Sequence, residues 1–238
     1  MPQETTIMAL AGLAASIGFI HTILGPDHYL PFIVMSRARG WSKPKTAFIT
    51  FLCGLGHVGS SVVLGFVGVA LGVAVSRLTS IESVRGDIAA YLFIAFGLAY
   101  FVWGVRRAIR NKPHTHAHFG SDDPDHAHEH THNGKHMHVH DSPEKVSITP
   151  WVLFTVFVFG PCEPLIPILM YPAAMKSYFG LIFVTSVFAV VTIATMMAAV
   201  FFGSLGISFI PIKRIERYSH ALAGATIALC GVLIVLGL

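Results

Sequence analysis

Residues 20–32 read I-H-T-I-L-G-P-D-H-Y-L-P-F and lie inside an apolar segment long enough to cross a membrane. The segment nevertheless contains His21, Asp27 and His28. Ionisable side chains at membrane depth are energetically costly, so such a cluster indicates a functional site. Pro26 directly precedes the Asp-His pair and cannot donate the backbone hydrogen bond that continues a helix. The stretch therefore predicts a transmembrane helix that is interrupted where its polar side chains lie.

The composition indicates an integral membrane protein. The chain has 238 residues, of which 54% are hydrophobic and 12% charged. A soluble domain would carry about twice that charged fraction. We therefore expect an all-α membrane protein. We interpret its net charge of +4 as a sign of orientation in the membrane, and we expect no nucleic-acid partner. Six transmembrane helices are predicted, near residues 7–34, 46–75, 88–109, 150–171, 178–203 and 218–238.

A second interrupted helix is predicted in the other half of the chain. Residues 160–167 read G-P-C-E-P-L-I-P, again a Gly-Pro step followed by two ligand-type residues and more proline. Each such stretch opens a group of three predicted spans. Because three is odd, the two groups would be oppositely oriented in the membrane, which is the pattern of an inverted repeat with a binding site near the midplane. The residues predicted to break the helices are Gly25, Pro26, Pro31, Gly160, Pro161, Pro164 and Pro167.

This pattern divides the chain into three parts. Residues 1–109 form the first predicted three-helix repeat, residues 110–149 a connecting loop, and residues 150–238 the second repeat. Thirteen of the sixteen Lys and Arg residues fall in, or within four residues of, the predicted loops one, three and five. The positive-inside bias places those loops in the cytoplasm and both termini outside.

The connecting loop is rich in histidine and poor in apolar residues. Because it cannot bury a core, we expect residues 110–149 to be disordered without ligand. Clustered neutral imidazoles bind Zn, Ni and Co ions, so we interpret the loop as a metal buffer, sensor or loading arm. The ten histidines predicted to bind metal are His114, His116, His118, His126, His128, His130, His132, His136, His138 and His140.

Candidate ligands for a metal ion within the membrane come from both halves. Imidazole and carboxylate groups suit borderline divalent cations, and a thiol adds softness. His57 is a lone imidazole in the second span, and the first-span cluster nearby favours a ligand role for it over simple helix packing. The predicted ligands are His21, Asp27, His28, His57, Cys162 and Glu163.

With these residues identified, the chain resembles the nickel/cobalt transporters of the NicO and urease-accessory type, within the lysine-exporter-like superfamily. Those proteins place a histidine and an Asp-His pair on the first span and carry a His-rich cytoplasmic loop between their halves. In this chain five residues separate His21 from Asp27, whereas the familiar nickel permease pattern has four. The resemblance implies transition-metal transport in a prokaryotic inner membrane.

The function predicted on these grounds is secondary transport of a divalent transition-metal ion, Ni or Co, by alternating access. Zn is also compatible with the ligand types. We expect neither an enzyme nor a prosthetic group. The expected partners are the metal ion and the lipid bilayer, and a homo-oligomer is compatible with the sequence.

Three alternatives remain open at this point. An exporter of sulfite or a related anion is conceivable because the N-termini of half-helices attract anions. The Gly-Pro-Cys element at Cys162 also resembles membrane thiol-electron carriers of the disulfide-reductase type. Those carriers place a partner cysteine in the first span, where this chain has Asp27 and His28, so Cys53 would have to supply the second thiol. The third alternative is a metal sensor or scaffold that does not transport.

Overall fold

The computed structural model of the chain describes residues 2–110, 114–117, 127–130, 148–208 and 216–237, and these residues are almost entirely helical. Four of the helices, α1, α3, α4 and α7, are long and apolar enough to cross a membrane, and α5, α6 and α8 are shorter apolar helices. In chain order the elements are α1 (Pro2–Leu24), a 3-10 turn (Pro26–His28), α2 (Leu30–Arg39), α3 (Lys43–Ala70), α4 (Val75–Arg110), β1 (His114–Ala117), β2 (Ala127–His130), α5 (Ile148–Phe159), α6 (Leu165–Ala174), α7 (Tyr178–Ser208), a second 3-10 turn (Glu216–Tyr218) and α8 (Ser219–Val235).

Both predicted helix interruptions are present. Helix α1 ends one residue before Gly25, and α5 ends one residue before Gly160. The later prolines have a different role from the one predicted. Pro31 lies in the first turn of α2, and Pro164 and Pro167 lie at the N-cap and in the first turn of α6. Amides in a first turn have no helical partner, so these prolines begin new helices rather than break existing ones.

The predicted spans 46–75 and 88–109 imply a loop at residues 76–87, and this prediction is wrong. Helix α4 already begins at Val75, and only residues 71–74 connect it to α3. Charged residues suggested a polar loop there. In the structure Glu82 and Arg85 are three residues apart on the helix and form an ion pair with each other. The predicted loop at residues 35–45 likewise shrinks to residues 40–42, where Gly40 ends α2 with a positive φ of 62°.

Helices α4 and α8 pack against each other so closely that glycine is needed at the crossing. A Cβ on Gly224 would lie 2.7 Å from the carbonyl oxygen of Gly97, and one on Gly231 would lie 2.6 Å from the carbonyl oxygen of Ala90. Helix α1 packs along α7, where Gly18 adjoins Phe188. Helix α3 contacts α5, α6 and α7 and thereby connects the two halves.

Apart from its two ends, which belong to α4 and α5, the described part of the connecting loop consists of the two strands. They pair antiparallel, with His114 opposite His130 and His116 opposite His128 along the backbone. The other six loop histidines named above lie outside the described residues, so the disorder expected for residues 110–149 stays a prediction.

Candidate metal centre

Three of the predicted ligands lie together between the halves. His21 is in the last turn of α1, His57 is near the middle of α3, and Cys162 is in the interruption between α5 and α6. One ligand atom from each lies within 4.8 Å of the other two. Donors bound tetrahedrally at about 2.0–2.3 Å lie about 3.3–3.8 Å from one another, so these side chains would have to move inward by about 1 Å to close around one ion.

The three side chains are largely inaccessible to solvent. His57 and Cys162 are buried, with exposed fractions of 2% and 0%, and His21 is half-buried. Within the part of the chain that the structure describes, Nε2 of His21 and the ring nitrogens of His57 are buried without a hydrogen bond of standard geometry, and the His57 ring approaches the backbone of Phe157. Buried polar groups are normally paired, so unpaired imidazole nitrogens beside a buried thiol indicate a site for a ligand that accepts a lone pair from each ring.

His28 lies beside the three residues. Its ring centroid is 4.8 Å from that of His21 and 5.0 Å from that of His57. Nδ1 of His28 is 3.0 Å from the carbonyl oxygen of Gly25 and 3.3 Å from Oδ1 of Asp27. Both neighbours are acceptors, so Nδ1 carries the hydrogen and donates it. Nε2 is then left as an acceptor, and it too is buried without a partner.

Asp27 and Glu163 do not join the three donors. The Asp27 carboxylate instead contacts His28, the arrangement by which a carboxylate orients a ligating imidazole. Glu163 is exposed, so of the two ligands predicted in the second interruption the structure brings only Cys162 to His21 and His57. Neighbouring residues in a turn project in different directions, so burying Cys162 leaves the next side chain outside.

Sequence reasoning missed Glu82 and Arg85, which lie next to the interruption in the second half. Glu82 is completely buried, and its Oε2 accepts a hydrogen bond from the backbone N–H of Cys162 at 3.2 Å. Arg85 donates from Nη2 to the carbonyl oxygen of Val158 at 2.8 Å. The signal available in the sequence was the E-x-x-R spacing, which pairs opposite charges on one face of a helix.

A separate cavity of about 380 Å³ lies between the C-terminal part of α2, the start of α3 and the end of α7. Arg37 and Lys43 contribute to its wall, together with the hydroxyl-bearing residues Ser36, Thr46 and Ser204. None of His21, His57 and Cys162 lines it. The cavity and the three donors are therefore distinct features of the molecule.

Comparison of the chain with models of protein families, with curated proteins and with solved structures found no match. The class of protein is consequently defined by the fold and the site alone. The described residues form a helical protein with four apolar helices of membrane-spanning length and a largely buried His/Cys group that could hold a metal ion.

Proposed function

We propose that the protein is a secondary transporter of a divalent transition-metal ion, with Ni or Co as the expected cargo. The ion would bind between the interrupted helices at His21, His57 and Cys162. The observation that carries this proposal is the convergence of these donors from three separate elements, with buried imidazole nitrogens that have no other partner.

The chemistry of the donors suits this cargo. Imidazole nitrogen binds Ni, Co and Zn well, and one thiolate adds softness without making the set specific for Cu(I). Both imidazoles must be neutral and the thiol must lose its proton before they ligate, so binding releases protons. Competition between metal and protons at one site is a simple basis for coupling metal movement to a proton gradient.

An alternating-access mechanism is supported by the pattern of helix contacts. Exchanging the halves would match α1 and α2 with α5 and α6, α3 with α7, and α4 with α8. Under that exchange the α1–α7 contact becomes the α5–α3 contact, and both are present. Likewise the α2–α8 contact becomes the α6–α4 contact, and both are present. The contacts α3–α7 and α4–α8 correspond to themselves. These contacts fit two inverted repeats around a shared site, whereas the contact of α4 with α5 has no counterpart of similar extent between α8 and α1.

The outer surface and the position of the site support a membrane location. Large apolar side chains such as Leu24, Val190 and Phe202 are each more than 60% exposed, an arrangement that suits contact with lipid. His57 lies close to the midpoint of the 28-residue helix α3, which would put the donors near the middle of the bilayer. By the positive-inside bias the His-rich segment would lie in the cytoplasm, where it would collect or deliver the ion.

The test is metal flux into proteoliposomes, measured with an entrapped metal-sensitive dye for Ni, Co and Zn. We expect His57→Ala and Cys162→Ser each to lower Ni or Co flux at least about tenfold, since even groups that only orient a ligand contribute that much to metal affinity. Cys53→Ser is the matched control, because Cys53 is a buried cysteine on α3 that does not belong to the three donors. Undiminished flux in both site variants would refute the proposed site.

The cavity beside α2 provides one observation in favour of the anion alternative. Among the described residues, its wall includes two cationic side chains and several hydroxyls, and no Asp or Glu. Such a lining suits an oxyanion such as sulfite. Sulfite flux in the same liposomes, abolished in Arg37→Gln/Lys43→Gln and accompanied by no metal flux, would favour that function over metal transport.

A further inference from the structure

The interruption between α5 and α6 leaves two backbone groups without their helical partners. In a continuous helix the N–H of Cys162 would donate to the carbonyl oxygen of Val158, four residues earlier. Pro161 lies between them, and α5 has already ended at Phe159. Unpaired backbone groups in a bilayer are costly, so some other part of the protein has to pair with them.

Helix α4 supplies both missing partners from one ion pair. Glu82 accepts the N–H of Cys162, and Arg85 donates to the oxygen of Val158. The two side chains form a salt bridge with each other. Gly86 allows this close approach, because a Cβ at that position would lie 2.9 Å from Cγ of Pro161.

The same ion pair is tied to the helix that carries His57. Ser61 donates to Oε2 of Glu82 at 3.1 Å, and Ser60 accepts from Nη2 of Arg85 at 2.6 Å. The Ser60 hydroxyl also donates to the carbonyl oxygen of His57 at 2.9 Å. One network therefore contacts the backbone of two of the three proposed metal donors.

We propose that Glu82 and Arg85 are a positioning pair that replaces the broken helical hydrogen bond and thereby holds the Cys162 thiol against His21 and His57. This inference rests on the proposed metal site. The pair also offsets the cost of leaving these two backbone groups unpaired, so its positioning role has to be read at the Cys162 thiol and not from stability. Neither side chain belongs to the group of donors, so both act on the ion only through Cys162 and its neighbours.

The first interruption is built differently. It forms a 3-10 turn in which the N–H of His28 donates to the carbonyl oxygen of Gly25 at 3.1 Å and that of Tyr29 donates to the carbonyl oxygen of Pro26 at 3.3 Å. In the second interruption, the N–H of Cys162 donates to a side chain from another helix, the carboxylate of Glu82. Loss of the ion pair should therefore disturb the thiol and leave the imidazole of His28 in place.

The experiment compares two double variants in a Cys53→Ala/Cys230→Ala background, in which Cys162 is the sole thiol. Glu82→Gln/Arg85→Gln removes both charges but keeps an acceptor and a donor, whereas Glu82→Met/Arg85→Met removes the hydrogen bonds as well. Exposed Asp87 and Arg77 lie on the same helix, and Asp87→Asn/Arg77→Gln is the matched control. The readouts are titration with Co(II), whose thiolate charge-transfer absorption reports ligation by Cys162, and the rate of Cys162 alkylation without metal.

We expect the Met variant to lose the thiolate absorption, to bind Co(II) at least about tenfold more weakly and to be alkylated faster. The Gln variant should retain the absorption, and the control should match the background protein. A Met variant that keeps both the absorption and slow alkylation would overturn the positioning role and leave the metal site intact. If the background protein shows no thiolate absorption, and Cys162→Ser does not weaken Co(II) binding, the result contradicts the proposed metal site itself and not only the positioning role.

Arg85→Lys is the variant to use if the Met variant does not fold. Lysine keeps the charge opposite Glu82 but cannot span the bonds that the two Nη atoms make to Val158, Ser60 and Ser61. We expect faster alkylation of Cys162 in Arg85→Lys, and an unchanged rate would contradict the proposal.

Discussion

The imidazole of His57 lies in the space that a side chain at Gly160 would occupy, since a Cβ on Gly160 would lie 2.9 Å from Nδ1 of His57. The first interruption has the same relationship, because a Cβ on Gly25 would lie 2.5 Å from Nδ1 of His28. In each Gly-Pro step the glycine thus leaves room for an imidazole, and the proline ends the hydrogen-bonded helix. This relationship joins the helix breaks to the donors directly.

Gly160→Ala should therefore weaken metal binding without unfolding the protein. The added methyl group would displace the His57 ring from the other donors, and we expect Co(II) affinity to fall at least about tenfold. The matched control is Gly59→Ala on α3, where an added Cβ meets open space. Equal affinities for the two variants in a Co(II) titration would contradict the role assigned to Gly160.

Asp27→Ala should reduce metal affinity by about 10- to 100-fold, the range found for partners that orient a ligating histidine. The reason is that Asp27 holds His28 through Nδ1, at 3.3 Å. Asp27→Asn keeps an acceptor and should have a smaller effect. The ranking of the two variants, measured by metal titration, separates an orienting role from direct ligation, for which Asn would be nearly as harmful as Ala.

Glu163→Gln should leave metal flux unchanged, whereas Cys162→Ser should reduce it strongly. The two residues are adjacent in sequence, but Cys162 is buried among the donors and Glu163 is exposed. Flux assays of both variants in parallel check this difference. Loss of flux in Glu163→Gln would show that the carboxylate has a part in transport that its position does not suggest.

Deleting residues 114–140 should preserve transport at saturating metal and raise the metal concentration that gives half-maximal flux. The proposed site lies in the helices, and the loop would only concentrate ions near it. A full-length variant with all ten loop histidines replaced by Asn separates loss of imidazoles from loss of length. Complete loss of flux in both variants would mean that the loop is an obligatory part of the transport path.

Gly224→Ala should destabilise the helix bundle by about 1–3 kcal/mol, the usual effect of overpacking. Its Cβ would lie 2.7 Å from the carbonyl oxygen of Gly97, and backbone atoms cannot rotate away as a side chain can. Thermal unfolding in detergent measures the change. Gly12→Ala on α1 is the control, since an added Cβ there meets open space, and higher helix propensity should make that variant neutral or slightly stabilising.

Much of the architecture could be predicted locally. Apolar runs marked the helices, and the two Gly-Pro steps marked the interruptions, because hydropathy and the missing amide hydrogen of proline are properties of short segments. Reliance on short segments is also why the predicted span at residues 88–109 is shorter than α4, which begins at Val75. Glu82 and Arg85 look like loop residues in isolation, and they become compatible with a buried helix only through the contacts they make with each other and with neighbouring helices.

The sequence by itself determined an all-helical chain with membrane-length apolar helices, two broken helices and a supply of candidate metal donors. Only the tertiary structure decided which donors meet. It selected Cys162 over Glu163 and made Asp27 a partner of His28. It also brought Glu82 to the backbone of a residue eighty positions away. These choices depend on how α1, α3 and α4 pack around the second interruption, and no local pattern of residues specifies such long-range contacts.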